Sequence, residues 1–204
     1  MTDVVTNVDG RPLSQRGLDT RRRLLDAAES VFGDVGYHDA SVVKVAEAAG
    51  VAAGTFYLYF DSKKAIFDEL VRDLNRRVRH AMKEGSAKGT SRLESELLGF
   101  DAYFRFTSDH PALYRIIRQA EFVSPEMLRY HYERLSEGYI EGLKAASESG
   151  EIRELDAEVA TFALMGIGEL IGMRWILWGD GAPMPKRVSD ELARIIRCIL
   201  EAER

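Results

Sequence analysis

Residues 41 to 63 read as two short helices joined by a glycine turn, with an aromatic run at the end of the second that leads straight into lysine. Ser41 can cap the first helix by accepting a hydrogen bond from a free backbone N–H. Val42, Val45, Ala46 and Ala49 then fall on one helical face. Gly50 stands where the chain must turn, and glycine takes a left-handed conformation without the steric penalty of a β-carbon. Val51 is apolar and placed to plug the corner. In the second helix, expected from about Ala53 to Phe60, Phe56 and Phe60 lie four apart and point inward together. That leaves Thr55, Leu58 and Tyr59 on the other side, with Tyr57 on a shoulder.

This layout suits a helix-turn-helix that docks on duplex DNA. Hydroxyls at Thr55 and Tyr57 can donate to phosphate oxygens without carrying a bulky charge into a groove, and Lys63 adds a cation against the same backbone. The spacing alone suits a plain helical corner equally well, because small helical proteins often bury Phe and Tyr in pairs beside a glycine turn.

The distribution of charge bears on that choice. The formal net charge of −5 over 204 residues argues against a nonspecific nucleic-acid binder, but a specific one depends on its local field. Arg11, Arg16, Arg21, Arg22 and Arg23 gather before the motif, and Lys44, Lys63 and Lys64 follow, whereas acids concentrate further on, as between Glu148 and Glu158. A basic head on an acidic body fits DNA at one end. Hydrophobic residues at 46% and charged residues at 30% are ordinary for a globular protein with a real core. No apolar run is read as approaching a membrane span and no signal-peptide core opens the chain, so a cytoplasmic location is expected. Cys198, the single cysteine, excludes an internal disulfide, and its apolar helix predicts a buried structural thiol.

The motif and its surroundings resemble the tetracycline-repressor (TetR) family of bacterial transcription regulators. The matching residues are Ala27-Ala28, Phe32, Gly36-Tyr37, Val45-Ala46, Ala49-Gly50-Val51, Gly54-Thr55-Phe56-Tyr57, Tyr59-Phe60 and Ser62-Lys63, in order and without gaps over about residues 20 to 70. The resemblance implies base-facing positions at Ala52, Ala53, Gly54, Leu58 and Tyr59, and phosphate contacts from Thr55, Tyr57 and Lys63. Ser41 and Lys44 complete the candidate DNA-binding set. Val43 stands where the family often has a polar residue, and Lys44 next door can substitute. Ala52, Ala53 and Leu58 can touch thymine methyls but cannot make the bidentate contacts that pick out guanine or adenine. Readout is therefore expected to lean on apolar contact, Tyr59 and DNA shape.

The expected fold is all-α, with about nine helices. Residues 1–17 read as a flexible basic tail, 18–64 as the helix-turn-helix domain, and 65–204 as an effector-binding and dimerisation bundle. Leu24, Leu25, Ala28, Val31, Phe32 and Val35 form the first stripe, closed by Gly36. Further helices are expected at about Lys63 to Glu84, Ser91 to Thr107, Pro111 to Ala120, Pro125 to Ser149, Asp156 to Trp178 and Arg187 to Glu201, broken at Gly85 to Thr90 and Gly179 to Pro183.

Glycine destabilises a helix relative to alanine, and Gly166, Gly168 and Gly172 in one apolar helix predict close approach of a partner helix. As in the family, a homodimer interface is expected from Gly168, Gly172, Trp175, Leu192, Ile195 and Ile199; the alternative is that both stripes pack within their own chain. Aromatics and methionines of the middle helices supply a core and a candidate pocket for a small hydrophobic effector: Phe104, Tyr114, Arg118, Phe122, Tyr130, Phe162, Met165, Glu169 and Met173. The resemblance implies that an effector bound there moves two reading heads and shifts the population away from the DNA-competent state. Similarity of the head to regulators of fatty-acid degradation suggests an acyl-CoA thioester, whose phosphates Arg115 or Arg118 would meet. His38, His80, His110 and His131 lack metal-ligand spacing and Cys198 has no evident His partner, so no enzyme, metal or cofactor is expected. A helical ligand carrier or scaffold without DNA binding is the competing reading.

Overall fold

The computed structural model describes residues 5–180 and 182–201. Among them the regular structure is helical, with one isolated antiparallel bridge between Thr6 and Pro12. The helices are α1 Gln15–Asp39, α2 Val42–Ala48, α3 Ala53–Phe56, α4 Lys63–Ser86, α5 Arg92–Asp109, α6 Ala112–Val123, α7 Pro125–Glu148, α8 Ala157–Gly172 and α9 Lys186–Leu200. A π-helical segment, Met173–Leu177, continues α8. The chain forms two compact units, Met1–Leu74 with Arg115–Leu128, and Asn75–Tyr114 with Arg129–Arg204. Helices α4, α6 and α7 give residues to both, so the expected division near residue 64 falls inside a continuous helix.

In the first unit, Leu24, Ala28, Phe32, Val45, Phe56, Ile66 and Phe67 are fully sealed. The rings of Phe32, Tyr37 and Phe67 pack with centroids 5.1–5.7 Å apart, two of the pairs edge-on, the arrangement the ring quadrupole favours. Gly36 closes the first stripe as expected: its φ of 77° breaks the helical path inside α1. The start of α1 differs from expectation. Ser14 is its N-cap, with Oγ accepting from the Gly17 amide at 3.3 Å, so the helix begins at Gln15 and the expected flexible tail is shorter. Residues 1–4 of that tail lie outside the described residues.

In the second unit, Phe100, Phe104, Tyr114, Leu143, Leu164, Met173, Ile176, Leu192, Ile196 and Leu200 form one core. Here the glycines of α8 find their close neighbours. A β-carbon at Gly172 would sit 1.8 Å from the Tyr114 hydroxyl oxygen, and one at Gly168 would sit 3.0 Å from the Phe100 ring, whereas Gly166 has open space. Gly168 and Gly172 therefore make room for rings of their own unit, and Leu192 is buried beside them. These three expected dimer contacts are core residues instead. Two smaller expectations also change. Cys198 is exposed rather than buried. Together α8 and its π continuation, Ala157–Leu177, make a 21-residue helix with a mean hydropathy of 1.4 over its most apolar stretch, long and apolar enough by length and composition alone to cross a membrane. Glu158, Glu169 and Arg174 interrupt that run in the sequence and conceal its length.

Candidate nucleic-acid interface

The first unit builds its corner as the sequence predicts. Ser41 Oγ accepts from the Lys44 amide at 3.1 Å and caps α2. Gly50 takes φ of 67°, and the amides of Gly50 and Val51 close back onto the carbonyls of Glu47 and Ala46 at 3.0 Å each. These bonds satisfy carbonyls that a helix end otherwise leaves unpaired. Helix α3 is shorter than expected. After Phe56 the backbone tightens, with Leu58 donating to Thr55 and Tyr59 to Phe56 at 3.2 and 2.9 Å, so Tyr57 to Tyr59 form turns. Phe56 and Phe60 nonetheless both point inward, their ring centroids 5.7 Å apart.

That inward anchor turns a rim outward. Ala52, Gly54, Tyr57 and Leu58 are exposed, Tyr57 and Leu58 at 52% and 53%, while Ala53, Thr55 and Tyr59 are partly covered. The Tyr57 ring packs edge-on against Phe56 at 5.4 Å, which fixes its direction. Neither the Thr55 nor the Tyr57 hydroxyl has a hydrogen-bond partner among the described residues. Apolar Ala52 and Leu58 thus stand beside the hydroxyls of Thr55 and Tyr57, the chemistry needed to touch base methyls and phosphate oxygens together.

The lysines are placed differently from expectation. Lys63 does not extend from the rim. Its ammonium donates to the carbonyls of Tyr37 at 2.7 Å, Ala40 at 2.8 Å and His38 at 3.4 Å, and lies 4.3 Å from the Tyr37 ring centroid. It closes the C-terminal end of α1, where the helix dipole favours a cation. An ammonium has three protons, and all three have acceptors here. Lys44 is exposed, with Nζ donating to the Asp39 carbonyl at 2.9 Å. Arg21 pairs with Glu69, and Arg22 with Asp26 and the sealed carboxylate of Asp73. Lys64 bonds Asp68, Glu126 and the Ser124 hydroxyl, and its hydrogen bond is the main reason the Glu126 carboxyl is held down at about 2. Arg21, Arg22 and Lys64 are therefore neutralised internally. Arg11, Arg16 and Arg23 are exposed and carry no ion pair among the described residues.

The expected effector residues do not all come together. Phe104, Tyr114 and Met173 meet in the core of the second unit. Beside them the Tyr114 hydroxyl donates to Thr107 Oγ1 at 3.1 Å, and Tyr132 donates to Glu169 at 2.8 Å. Burial raises the pKa of both Tyr103 and Tyr114, Tyr103 the more strongly, so the two phenols stay protonated donors. Tyr130 and Met165 are half-buried. Phe122, 81% exposed, and Arg118, also exposed, belong to the first unit and do not join this cluster. Phe162 faces outward from α8 with Val159 and Leu170. Tyr103, Thr107 and Tyr132 stand beside this cluster without being in the expected set; the four-residue spacing of Tyr103 and Thr107 on α5 is the signal that places those two together. Of the remaining expected dimer residues, Ile195 is exposed and Ile199 half-buried, while Trp175 is half-buried with the guanidinium groups of Arg174 and Arg187 lying 5.5 and 6.0 Å from its ring centroid.

The family model for bacterial regulatory proteins of the tetR family matches residues 24–70. The chain is 32% identical over 176 residues to the HTH-type transcriptional regulator YdgC of Bacillus subtilis (strain 168), covering 84% of this chain and 88% of that one. It is 30% identical over 162 residues to the fatty acid metabolism regulator protein of the same organism, covering 76% and 82%. The structure of the regulator FadR from Bacillus subtilis in complex with stearoyl-CoA shares the fold with a TM-score of 0.76 at 24% identity, over 86% of this chain and 96% of that one.

Proposed function

The chain belongs to the tetR family of bacterial regulatory proteins and is a DNA-binding transcription regulator; from that premise we propose that it is a cytoplasmic repressor, that it grips a palindromic operator as a homodimer, and that a long-chain acyl-CoA releases it. The observation that carries the reading is the outward rim of Thr55, Tyr57 and Leu58, anchored from behind by sealed Phe56.

The dimer is supported by an apolar stripe that a lone chain leaves in water. Val159, Phe162, Ala163 and Leu170 on α8 are exposed, Leu170 at 65%, and α9 adds exposed Ile195. A twofold pairing of such faces holds two reading heads at fixed separation, which sets half-sites one helical turn, or a multiple, apart.

The proposed effector site lies around Tyr103, Tyr114, Tyr132 and Glu169. A few polar groups inside apolar walls suit a long apolar ligand with a polar end, and the adjoining π-helical turn at Met173–Leu177 is a form often found at functional sites. The fatty acid metabolism regulator and the stearoyl-CoA complex among the similar proteins support an acyl thioester as the class. Helix α6 offers the route of response. It carries Tyr114, and one residue later Arg115 donates to the Gly33 carbonyl at 2.9 Å, while Gln119 donates to the Phe32 carbonyl at 3.2 Å and accepts from the Tyr37 amide. A ligand that displaces Tyr114 would move the residues that grip the end of α1.

Selection of bound fragments from genomic DNA, followed by titration of the recovered duplex with palmitoyl- and stearoyl-CoA, tests this. Release at micromolar thioester supports the reading. Binding that no acyl-CoA alters would remove the proposed effector, and failure to enrich any fragment would remove the operator.

A further inference from the structure

We propose that residues 5–14 form an ordered DNA-contacting arm, a hairpin seated against the recognition turn that brings Arg11 to the duplex as an additional phosphate contact. The inference rests on the reading of the Thr55–Leu58 rim as the DNA-facing edge and extends it to a segment outside the helix-turn-helix.

The arm is built by ordinary hairpin chemistry. The Leu13 amide donates to the Val5 carbonyl at 3.0 Å and the Asn7 amide to the Arg11 carbonyl at 2.9 Å, with Thr6 opposite Pro12 between them. Proline has no N–H to give, and this arrangement does not ask for one. Val8, Asp9 and Gly10 make the three-residue loop, and Gly10 takes the left-handed conformation such a loop needs, with φ of 77°. Asn7 finishes the closure: its carbonyl accepts from Gly10 at 3.0 Å and its Oδ1 accepts from the Arg11 amide at 2.8 Å. Both backbone polar groups of Arg11 are thereby held by Asn7.

Two attachments fix the hairpin to the head. The Val8 amide donates to the Leu58 carbonyl at 3.3 Å, a direct bond to the recognition turn. Leu13 sits over Gly17 in the first turn of α1, where a β-carbon would come within 3.3 Å of it, and Ser14 caps the same turn. The arm is thus joined to the rim at its loop and to α1 at its base. Arg11 stands next to the loop with an exposed side chain that has no ion-pair partner among the described residues, while Arg21 and Arg22 behind it are paired. The Asp9 carboxylate, at the tip, accepts from the Asn7 side-chain Nδ2 at 3.4 Å. A cation on a short rigid arm beside a groove-binding edge meets the phosphate backbone flanking the half-site, and it gains affinity because the ordering entropy is already spent in the free protein.

Fluorescence anisotropy on the recovered operator, between 50 and 200 mM salt, tests the arm in the full chain. Arg11→Ala is expected to weaken binding about tenfold and to lower the salt slope by about one. Gly10→Val, which forces a β-branched residue into a left-handed loop position, is expected to reproduce most of that loss with Arg11 still present. A Gly10→Val protein that binds like the parent would mean a loose basic tail and overturn the docked arm, as would an Arg11→Ala protein with unchanged affinity and slope. If the parent binds no duplex at all, the reading of the rim fails and takes the arm with it; a parent that binds alongside two silent variants removes the arm alone.

Discussion

Replacing Lys63 with alanine separates two roles that a lysine beside a DNA-binding turn can have. The ammonium closes three carbonyls at the end of α1, at 2.7, 2.8 and 3.4 Å, and covers the Tyr37 ring. A hydrogen bond from a charged donor is worth roughly 1.5–3 kcal/mol and a cation at a helix C-terminus roughly 0.3–1 kcal/mol. The group is only partly buried, so solvent screens part of this, and the water that replaces it satisfies some of the carbonyls. A loss of about 1–3 kcal/mol from the head is the expectation. Urea unfolding followed by circular dichroism, with hydrogen exchange at the amides of α1 and α2, reads it directly. The DNA assay supplies the discriminating half. Below the unfolding transition, Lys63→Ala should bind with the parent's salt slope, because no phosphate contact has been removed. A variant that keeps the parent's stability within about 0.5 kcal/mol yet loses about one unit of slope would show that Lys63 reaches the phosphates and that this argument is wrong.

Gly172→Ala should destabilise the second unit by about 1–3 kcal/mol through overpacking against the Tyr114 hydroxyl and ring, and Tyr114→Phe on the same background should restore only part of the loss, because the ring carbon Cζ would still lie 2.7 Å from the new β-carbon; a neutral Gly172→Ala in thermal melts would contradict the packing. His131 is sealed against Asn75, and burial holds its pKa down to about 4 from the ordinary 6.5. The unfolded chain therefore takes up a proton that the folded chain refuses, so this contribution is full above about pH 6.5 and is lost as pH falls towards 4, by about 3 kcal/mol in all. His131→Gln should flatten the unfolding free energy across that window, and an unchanged pH profile would count against it. Leu170→Glu on the exposed face of α8 should shift sedimentation from dimer to monomer and weaken operator binding together; a dimer that persists would place the twofold contact elsewhere.

Local chemistry at the corner was legible because the residues that build it act on their immediate neighbours. Ser41 caps, Gly50 turns, and Phe56 and Phe60 face inward at four-residue spacing, all from forces that act within a few positions. The placement of Lys63 was not legible because a cation near a turn looks the same in sequence whether it meets phosphate or the carbonyl end of α1, a contact that spans more than twenty positions. Gly168 and Gly172 correctly signalled a close approach, but small residues do not say which neighbour approaches; Tyr114 and Phe100 answer only in three dimensions. The Asp9-Gly10 pair is a hairpin signal, masked by a polar composition that also suits a flexible tail. Of the expected effector residues, the buried aromatics followed from hydrophobicity, whereas the outward turn of Phe122 and Phe162 depends on helix rotation that composition does not set. The π-helical continuation of α8 has no local sequence signature.

Equilibrium binding of Tyr57→Ala to the operator, with circular dichroism to establish that it folds like the parent, tests the central claim most directly. A loss of about tenfold is expected on the operator and a similar factor on unrelated duplexes, because the hydroxyl meets phosphate rather than a base. A folded Tyr57→Ala protein that binds its operator as tightly as the parent would contradict the outward rim as the edge that meets DNA.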